Sequence, residues 1–460
     1  MPHVEELFSW IQDKTSLVFL TDLTRSFKTA EVFFVGGALR DWFLDRPMNH
    51  VDCDFVVRGI PLDTLVAWLQ KHGSVDVVGK TFGVIKFRPT WDGRDRPLQT
   101  EIDIALPRTE QSLPDSRGGY RDVSVQFDPN LPIQDDLSRR DFTVNAMALN
   151  LVTHELIDPF EGQKDLEAKT LRAVGEPSTR FQEDLTRILR GLRFACELNF
   201  EIEPQTFEAM KALVPELNQL RKQDGASGYV VSRETIGDEL SKAFFANPAR
   251  TIHFLQELGA LEELFPSVWR HLQVDAHYLE PITRVGTRPT STNTSVFEQI
   301  IILFLRGLTA EEARTTLSFT GLDTIDKQSP RRLDVEHILW MIQRLQQHLT
   351  PQNISVMRAS HFEKQFLGAR GTQHMTLLEH LGHGPVVDAA KKRRADICAK
   401  WQCEEHEPIP PLITGDDILR QGIPAGARVR EILEMTRDQQ LDGHILTREA
   451  AIRFVKQQME

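Results

Sequence analysis

The sequence predicts an α+β protein, in which an N-terminal mixed α/β domain is followed by a long all-α remainder. Three observations predict this. Short runs rich in β-branched and aromatic residues, Glu31–Val35, Val51–Val57, Phe82–Phe87 and Thr100–Ala105, fall in the first quarter of the chain and read as strands. Beyond about residue 161 the apolar spacing becomes helical, and from about residue 285 it stays so, broken by polar stretches. The chain has 460 residues, 40% hydrophobic and 26% charged. That is room for roughly two to four domains, each able to bury a core without staples.

Taken in order, residues 1–30 read as helix with a short loop. Phe33-Phe34-Val35-Gly36-Gly37-Ala38-Leu39-Arg40-Asp41 reads as a strand, a Gly-Gly turn and a helix start. Glycines let backbone N–H groups approach a phosphate, and a helix N-terminus favours an anion. In Asp52-Cys53-Asp54-Phe55-Val56-Val57, alternate residues of a strand share a face, so both carboxylates point the same way, ~7 Å apart along it. Such a pair repels itself unless a divalent cation sits between. In Thr100-Glu101-Ile102-Asp103-Ile104-Ala105, Glu101 and Asp103 share one face and the isoleucines the other. Three carboxylates on neighbouring strands suit two Mg²⁺ ions about 4 Å apart. Glu101 also reads simply as a solvated strand residue.

Ser138-Arg139-Arg140-Asp141-Phe142-Thr143-Val144-Asn145-Ala146 reads as a helix start with Ser138 as N-cap, its arginines able to hold phosphate oxygens but equally read as an ordinary solvated first turn. Glu183 to Ala195 reads as one helix. Leu185, Ile188, Leu189, Leu192 and Cys196 form its apolar stripe, and Glu183, Arg187 and Arg190 lie on the other side. Asp184 and Arg187 are i, i+3 neighbours there. Polar linkers are expected at Gly286–Ser295 and around Gln328–Arg332.

Four scattered cysteines do not make a disulfide framework, which points to a reducing cytoplasm. The opening MPHVEELFSW lacks the basic and apolar regions of a signal peptide, and the apolar run Ile300–Leu305 is far too short to span a bilayer. No membrane partner is expected. A net charge of −12 argues mildly against nucleic acid, yet what matters is one basic face. Lys391-Lys392-Arg393-Arg394 is a candidate for phosphate contact as well as an ordinary solvated run. Cys398, Cys403 and His406 lack a fourth ligand and a tight cysteine pair, so they read as helix cysteines and a surface histidine.

Several motifs together resemble the class II tRNA nucleotidyltransferase and bacterial poly(A) polymerase family. They are Gly36-Gly37-Ala38-Leu39-Arg40-Asp41, Asp52-x-Asp54, Arg139 to Ala146, Asp158-Pro159-Phe160 and Glu183-Asp184-x-x-Arg187, in the family's order. Val231-Ser232-Arg233-Glu234 to Phe265-Pro266, and Ile413 to Leu419 with Arg448 to Ala451, look similar too. The resemblance implies a nucleotidyltransferase head of the DNA polymerase beta superfamily over 1–160, a helical neck reading the base over 161–270, and a helical body and tail binding tRNA over 271–460. It also implies template-independent addition of CCA to the tRNA 3′ end from CTP and ATP, with Mg²⁺ as cofactor.

By the same resemblance, Asp52 and Asp54 are the metal ligands and Asp103 the third catalytic carboxylate. Gly36, Gly37 and Arg40 fall at nucleotide-binding positions. Arg140 and Asp141 contact phosphate and ribose. Asp184 and Arg187 read the base, and Arg190 and Arg193 grip the triphosphate. Asp158 belongs to a motif that moves with the head. Leu185 departs from the proline many members carry after the acidic pair. No His-Asp dipeptide occurs, so a phosphohydrolase domain is not expected. Lys80-Thr81-Phe82-Gly83 looks like the tRNA-directed members. Thr109–Val125, with Gly118 and Gly119, looks like an intact flexible loop, favouring full CCA addition over A addition alone. A poly(A) polymerase is the nearest alternative. A non-catalytic RNA-binding relative is further off, since a binding module has no need of these carboxylates. Oligomeric state is not legible.

Overall fold

The computed structural model describes residues 4–13, 17–48, 53–78, 84–90, 101–112, 117–119, 123–223, 226–285, 294–326, 329, 331–401 and 409–458. The chain divides into two compact units, one of residues 1–264 with 320–322, the other of 265–319 with 323–460.

The first unit opens with α1 (Val4–Asp13) and α2 (Val18–Ser26). Its main sheet is built from β1 (Glu31–Val35), β2 (Asp54–Arg58), β3 (Gly73–Val78), β4 (Val84–Pro89) and β5 (Ile102–Ala105). Two later strands join it, after a separate hairpin of β6 (Arg108–Ser112) and β7 (Val123–Phe127). These are β8 (Ala148–Asn150) and β9 (Leu156–Ile157). Strand order is β3-β4-β5-β2-β1-β8-β9. The central β1 is apolar almost throughout, with Val32, Phe33 and Phe34 fully buried, because both its faces are covered. Toward the edge the pattern alternates: Ile85 and Phe87 of β4 are buried, while Lys86 and Arg88 take the other face.

Helix α3 (Gly36–Phe43) leaves directly from the end of β1, and α4 (Leu62–Leu69) follows β2. Then come α5 (Ile133–Ser138), α6 (Gly162–Glu167), α7 (Pro177–Glu183), α8 (Thr186–Leu198), α9 (Pro204–Leu213) and α10 (Arg233–Ala246). Two small two-stranded sheets lie among these helices, Thr170–Leu171 with Glu201–Ile202 and Leu220–Gln223 with Ala226–Tyr229. The apolar stripe of α8 is buried as expected, and the helix stops at Asn199 in the left-handed conformation.

Two local expectations are corrected. Ser138 is not an N-cap; it ends α5, and its hydroxyl donates back to the Asp135 carbonyl at 2.7 Å. Residues 139–146 are a turn and a short 3₁₀ helix, Thr143–Asn145, because Phe142 adopts an extended backbone and buries its ring. The expected helix from Glu183 to Ala195 is two helices, broken at Asp184, which is extended at φ −152° and ψ 103°. The two ends of the Thr109–Val125 stretch form a ladder, with Thr109 opposite Gln126 and Ser112 opposite Val123, and of the residues between them only 117–119 are described.

The second unit is helical throughout its described residues. Thr294–Leu305 carries the apolar run Ile300–Leu305 wholly inside the unit. A core of Phe362, Phe366, Val387, Ala390 and Ile397 and another of Ile413, Ile418, Ile432 and Val455 organise the rest. The run at 391–394 lies on the helix Gly384–Trp401. Arg394 is buried and donates to the Thr372 hydroxyl, and Arg393 donates to the carbonyls of Ile354 and Met357 over the Phe362 ring. Only Lys391, paired with Glu379, and Lys392 are exposed, so half of this run is packing rather than a solvated basic face. The expected linker at Gly286–Ser295 falls mostly outside the described residues, as do Cys403 and His406, whereas Ser329, Arg331 and Arg332 of the second expected linker are described and lie outside any helix. Among the described residues, no helix is long and apolar enough to cross a membrane.

Candidate active site

The end of β1 brings the first group together. Val35 is opposite Asp54 across the β1–β2 pair, and Asp54 is opposite Asp103 across the parallel β2–β5 pair. Two carboxylates therefore lie side by side on adjacent strands. Gly36, where the chain turns from β1 into α3, has φ +80°. A Cβ there would stand 2.8 Å from Asp54 Oδ2, so only glycine lets the carboxylate approach the helix start without displacement. Asp52 lies outside the described residues, as does the Lys80–Gly83 stretch. Glu101 is engaged by both Lys86 and Arg88, which hold its carboxyl below the usual range, so it is an ion-paired strand residue. Lys86 also stands 3.7 Å from Asp103.

The second group forms a chain of polar contacts from α3 to α8. Arg40 is buried and donates through Nη1 to Asn145 Oδ1 at 2.9 Å, and through Nε to Asp41 at 3.0 Å. Asn145 Nδ2 donates to Asp141 Oδ1 at 3.2 Å, and Arg190 grips Asp141 Oδ2 through Nε and Nη2 at 2.8 and 2.7 Å. Burial pushes the Asp141 carboxyl up, but the Arg190 charge and these bonds outweigh it and hold the pKa at about 2. Arg190 is correspondingly raised by the Asp141 charge, against burial. Arg140 donates to the Asn145 carbonyl and lies 3.6 Å from Asp136. Arg193 is divided between Glu239 on α10 and Glu197, with the Phe194 ring beneath it. Arg40 thus spends its guanidinium inside the protein, whereas Arg190 and Arg193 each keep one Nη with no acceptor among the described residues.

The third group is the α7–α8 junction. Arg187 is buried; its Nη1 donates to the Arg180 carbonyl and to Glu183, and its Nη2 to the Arg139 carbonyl at 3.0 Å. Asp184 does not pair with Arg187. Its Oδ1 accepts from the Thr186 N–H at 2.9 Å and hydroxyl at 2.6 Å. Burial raises the Asp184 pKa, and the Thr186 bonds and the Arg187 charge oppose the rise. Leu185 meets the hairpin tip: its N–H donates to the Gly118 carbonyl at 2.8 Å. A proline here would have no N–H to give. Gly118 has φ +81°, and a Cβ on it would stand 2.7 Å from Leu185 Cγ.

One cavity of about 670 Å³ collects these groups. Gly36, Gly37, Arg40, Asp54, Arg140, Asp141, Asp184, Arg187, Arg190 and Arg193 all line it; Asp103 does not. Eight arginines face six carboxylates across its wall. The excess of guanidinium over carboxylate charge suits a polyanion. Sequence reasoning missed Arg108 and Glu110 of β6, Arg180, Thr186, Phe194, and Thr235 and Glu239 of α10 as site residues. Asn145 lay within a quoted motif, but its polar link between Arg40 and Asp141 needs the fold. Glu239 has no local signal, since it reaches Arg193 from 46 positions away. Asp158 caps α6, accepting from the Gly162 and Gln163 N–H groups. Among the described residues, no cluster of three metal-ligating side chains occurs.

Residues 32–172 match the poly A polymerase head domain family. A CCA-adding enzyme of Streptococcus suis (strain 05ZYH33) is 40% identical over 196 residues, 41% of this chain and 42% of that protein. A multifunctional CCA protein of Acidovorax sp. (strain JS42) is 35% identical over 249 residues, 52% of this chain and 50% of that one. The chain spans about half the length, or less, of these curated relatives. Among solved structures, the Bacillus stearothermophilus CCA-adding enzyme in complex with CTP superposes with TM-score 0.66 at 20% identity, over 96% of this chain and 97% of that chain. The Thermotoga maritima CCA-adding enzyme complexed with tRNA does so with TM-score 0.62 at 22% identity, over 99% and 98%. At that identity the likeness is one of fold.

Proposed function

We propose that through its head this chain belongs to the class II tRNA nucleotidyltransferase and bacterial poly(A) polymerase family, and that it adds C and A nucleotides to the tRNA 3′ end without a nucleic-acid template. The observation that carries this is the convergence of Asp54, Asp141, Asp184, Arg187 and Arg190 on one cavity. In the reaction the terminal 3′-hydroxyl of the RNA attacks the α-phosphorus of CTP or ATP, a P–O bond forms, and pyrophosphate leaves with the bond pair.

Asp52, Asp54 and Asp103 are the residues that would hold Mg²⁺. Their fit rests on the in-register pairing of Asp54 with Asp103, on the space left by Gly36 beside Asp54, and on hard carboxylate oxygens as donors. When bound, the cation supplies positive charge for the attacking hydroxyl and for the triphosphate. The protein's own residues do the rest. The free Nη groups of Arg190 and Arg193, with Arg140, take phosphate oxygens. Asp141, fixed by Arg190 and Asn145, stands where a ribose hydroxyl can donate to it. Arg40 acts at one remove, holding Asn145 and Asp41.

Base choice follows from hydrogen-bond polarity. Cytosine and adenine offer an amino donor beside a ring-nitrogen acceptor; uracil and guanine reverse the order. A carboxylate at Asp184 takes the donor, and a guanidinium at Arg187 satisfies the acceptor. Mismatched polar groups in a closed site give selectivity on the order of 10⁴–10⁵. We keep the division into head (1–160), neck (161–270) and tRNA-binding body and tail (271–460), and a cytoplasmic location, as parts of this reading. The test is labelled CTP or ATP with tRNA lacking CCA, tRNA ending in CC, and a generic RNA. CCA completion on tRNA alone is expected, and chelation of divalent metal should stop it. A-only extension of tRNA ending in CC, or A-tracts on any RNA, would move the assignment to the A-adding or poly(A) reading. No incorporation at all would remove it.

A further inference from the structure

We infer that Thr186 is a positioning residue for base selection: its hydroxyl fixes the Asp184 carboxylate so that one oxygen is committed to the start of α8 and the other is offered to the incoming base. This rests on the reading of Asp184 as a base-selecting group, and concerns what makes that group reliable.

Asp184 is not part of a helix. It is the extended residue between α7 and α8, so no helical ladder sets the direction of its side chain. What sets it is Thr186. Oδ1 accepts from the Thr186 N–H at 2.9 Å and from Thr186 Oγ1 at 2.6 Å, and Oδ2 accepts from no described residue while Asp184 lines the cavity. Any residue but proline supplies the N–H. Only threonine or serine supplies the hydroxyl. One backbone donor alone leaves the carboxylate free to pivot about its terminal torsion, which is broad and shallow. A second donor approaching the same oxygen from another direction removes that freedom and places Oδ2.

The hydroxyl is also committed. Thr186 is 6% exposed, and among the described residues its only side-chain hydrogen bond is this one. The other half of the base-reading pair is held separately, since Arg187 is gripped by Glu183 and by two carbonyls. A second consequence concerns polarity. Burial favours a neutral Asp184, and the Thr186 bonds work against it. A neutral carboxyl would carry an O–H donor and could satisfy the carbonyl of uracil or guanine, so the hydroxyl protects the acceptor-only character on which discrimination depends.

The experiment compares wild type, Thr186→Val, Thr186→Ala and Thr186→Ser, each assayed for kcat/KM with CTP, ATP, UTP and GTP on tRNA acceptors. Loss of a hydrogen bond to a charged group should cut CTP and ATP use by roughly 10- to 100-fold. UTP and GTP use should fall less or rise, so the CTP/UTP and ATP/GTP ratios shrink. Serine should restore both ratios. A purely structural role would lower all four nucleotides together. The alanine variant adds no methyl and serves if valine does not fold. Unchanged ratios in the valine and alanine variants, or a serine variant as impaired as they are, overturn the inference. A wild-type protein that adds neither C nor A overturns the underlying functional reading instead, and the two failures are told apart by the wild-type lane.

Discussion

Replacing Gly36 with alanine tests whether this glycine is there to seat Asp54. The substitution has two separable consequences. The backbone at φ +80° is unfavourable for an L-residue, which costs about 1–2 kcal/mol of stability. The new methyl would stand 2.8 Å from Asp54 Oδ2, closer than a carbon and a carboxylate oxygen can remain. Oδ2 is the far end of a rotatable side chain, so the carboxylate moves before the sheet does. Displacing a reacting group by ~1 Å lowers the rate by ~100-fold. The expected result is folded protein, slightly less stable, with single-turnover addition of labelled CMP reduced about 100-fold by that misplacement. Urea unfolding measures the first effect and rapid-quench kinetics the second. Near-normal single-turnover rates in folded Gly36→Ala protein would refute the reasoning, since the carboxylate would then not need the space that glycine leaves.

Asp141 makes stability depend on pH with a definite sign. Its folded pKa of about 2 lies below the ordinary 3.8, so its contribution is fully present above about pH 4 and fades as pH falls toward 2. The shift corresponds to about 2 kcal/mol. Denaturant titrations of wild type and Asp141→Asn should therefore differ by a constant amount above pH 5 and converge below pH 4; a gap that widens on acidification would contradict this. In the second unit, Arg393→Ala removes two donors to backbone carbonyls and a cation over the Phe362 ring, and should cost ~2–3 kcal/mol of unfolding free energy. Lys392→Ala should change stability by under ~0.5 kcal/mol, as exposed substitutions do. Equal effects would show that Arg393 is not a packing residue.

Much of the site was legible because its chemistry is local. Alternation in the Asp52–Val57 and Thr100–Ala105 segments predicted strands with carboxylates on one face. The in-register pairing of Asp54 with Asp103 adds only that the two strands are neighbours. The Gly36 turn into a helix and the buried stripe of α8 were equally visible, since backbone freedom and apolar spacing are written in single residues. What the tertiary structure decided are contacts between residues far apart in sequence. The guanidinium of Arg40 donates to Asn145, 105 positions on, a link that no local pattern reveals. Arg393 and Arg394 belong to a basic run by sequence and to the interior by packing, because a helix buries whichever face its neighbours cover. The Glu183–Arg187 stretch read as one helix by apolar spacing alone. Spacing cannot reveal that Asp184 is extended, with its carboxylate taken by Thr186 two residues on. The residue types set which interactions were available. Long-range packing chose among them, because each charged group buried with the cavity had to find its partner wherever the fold placed one.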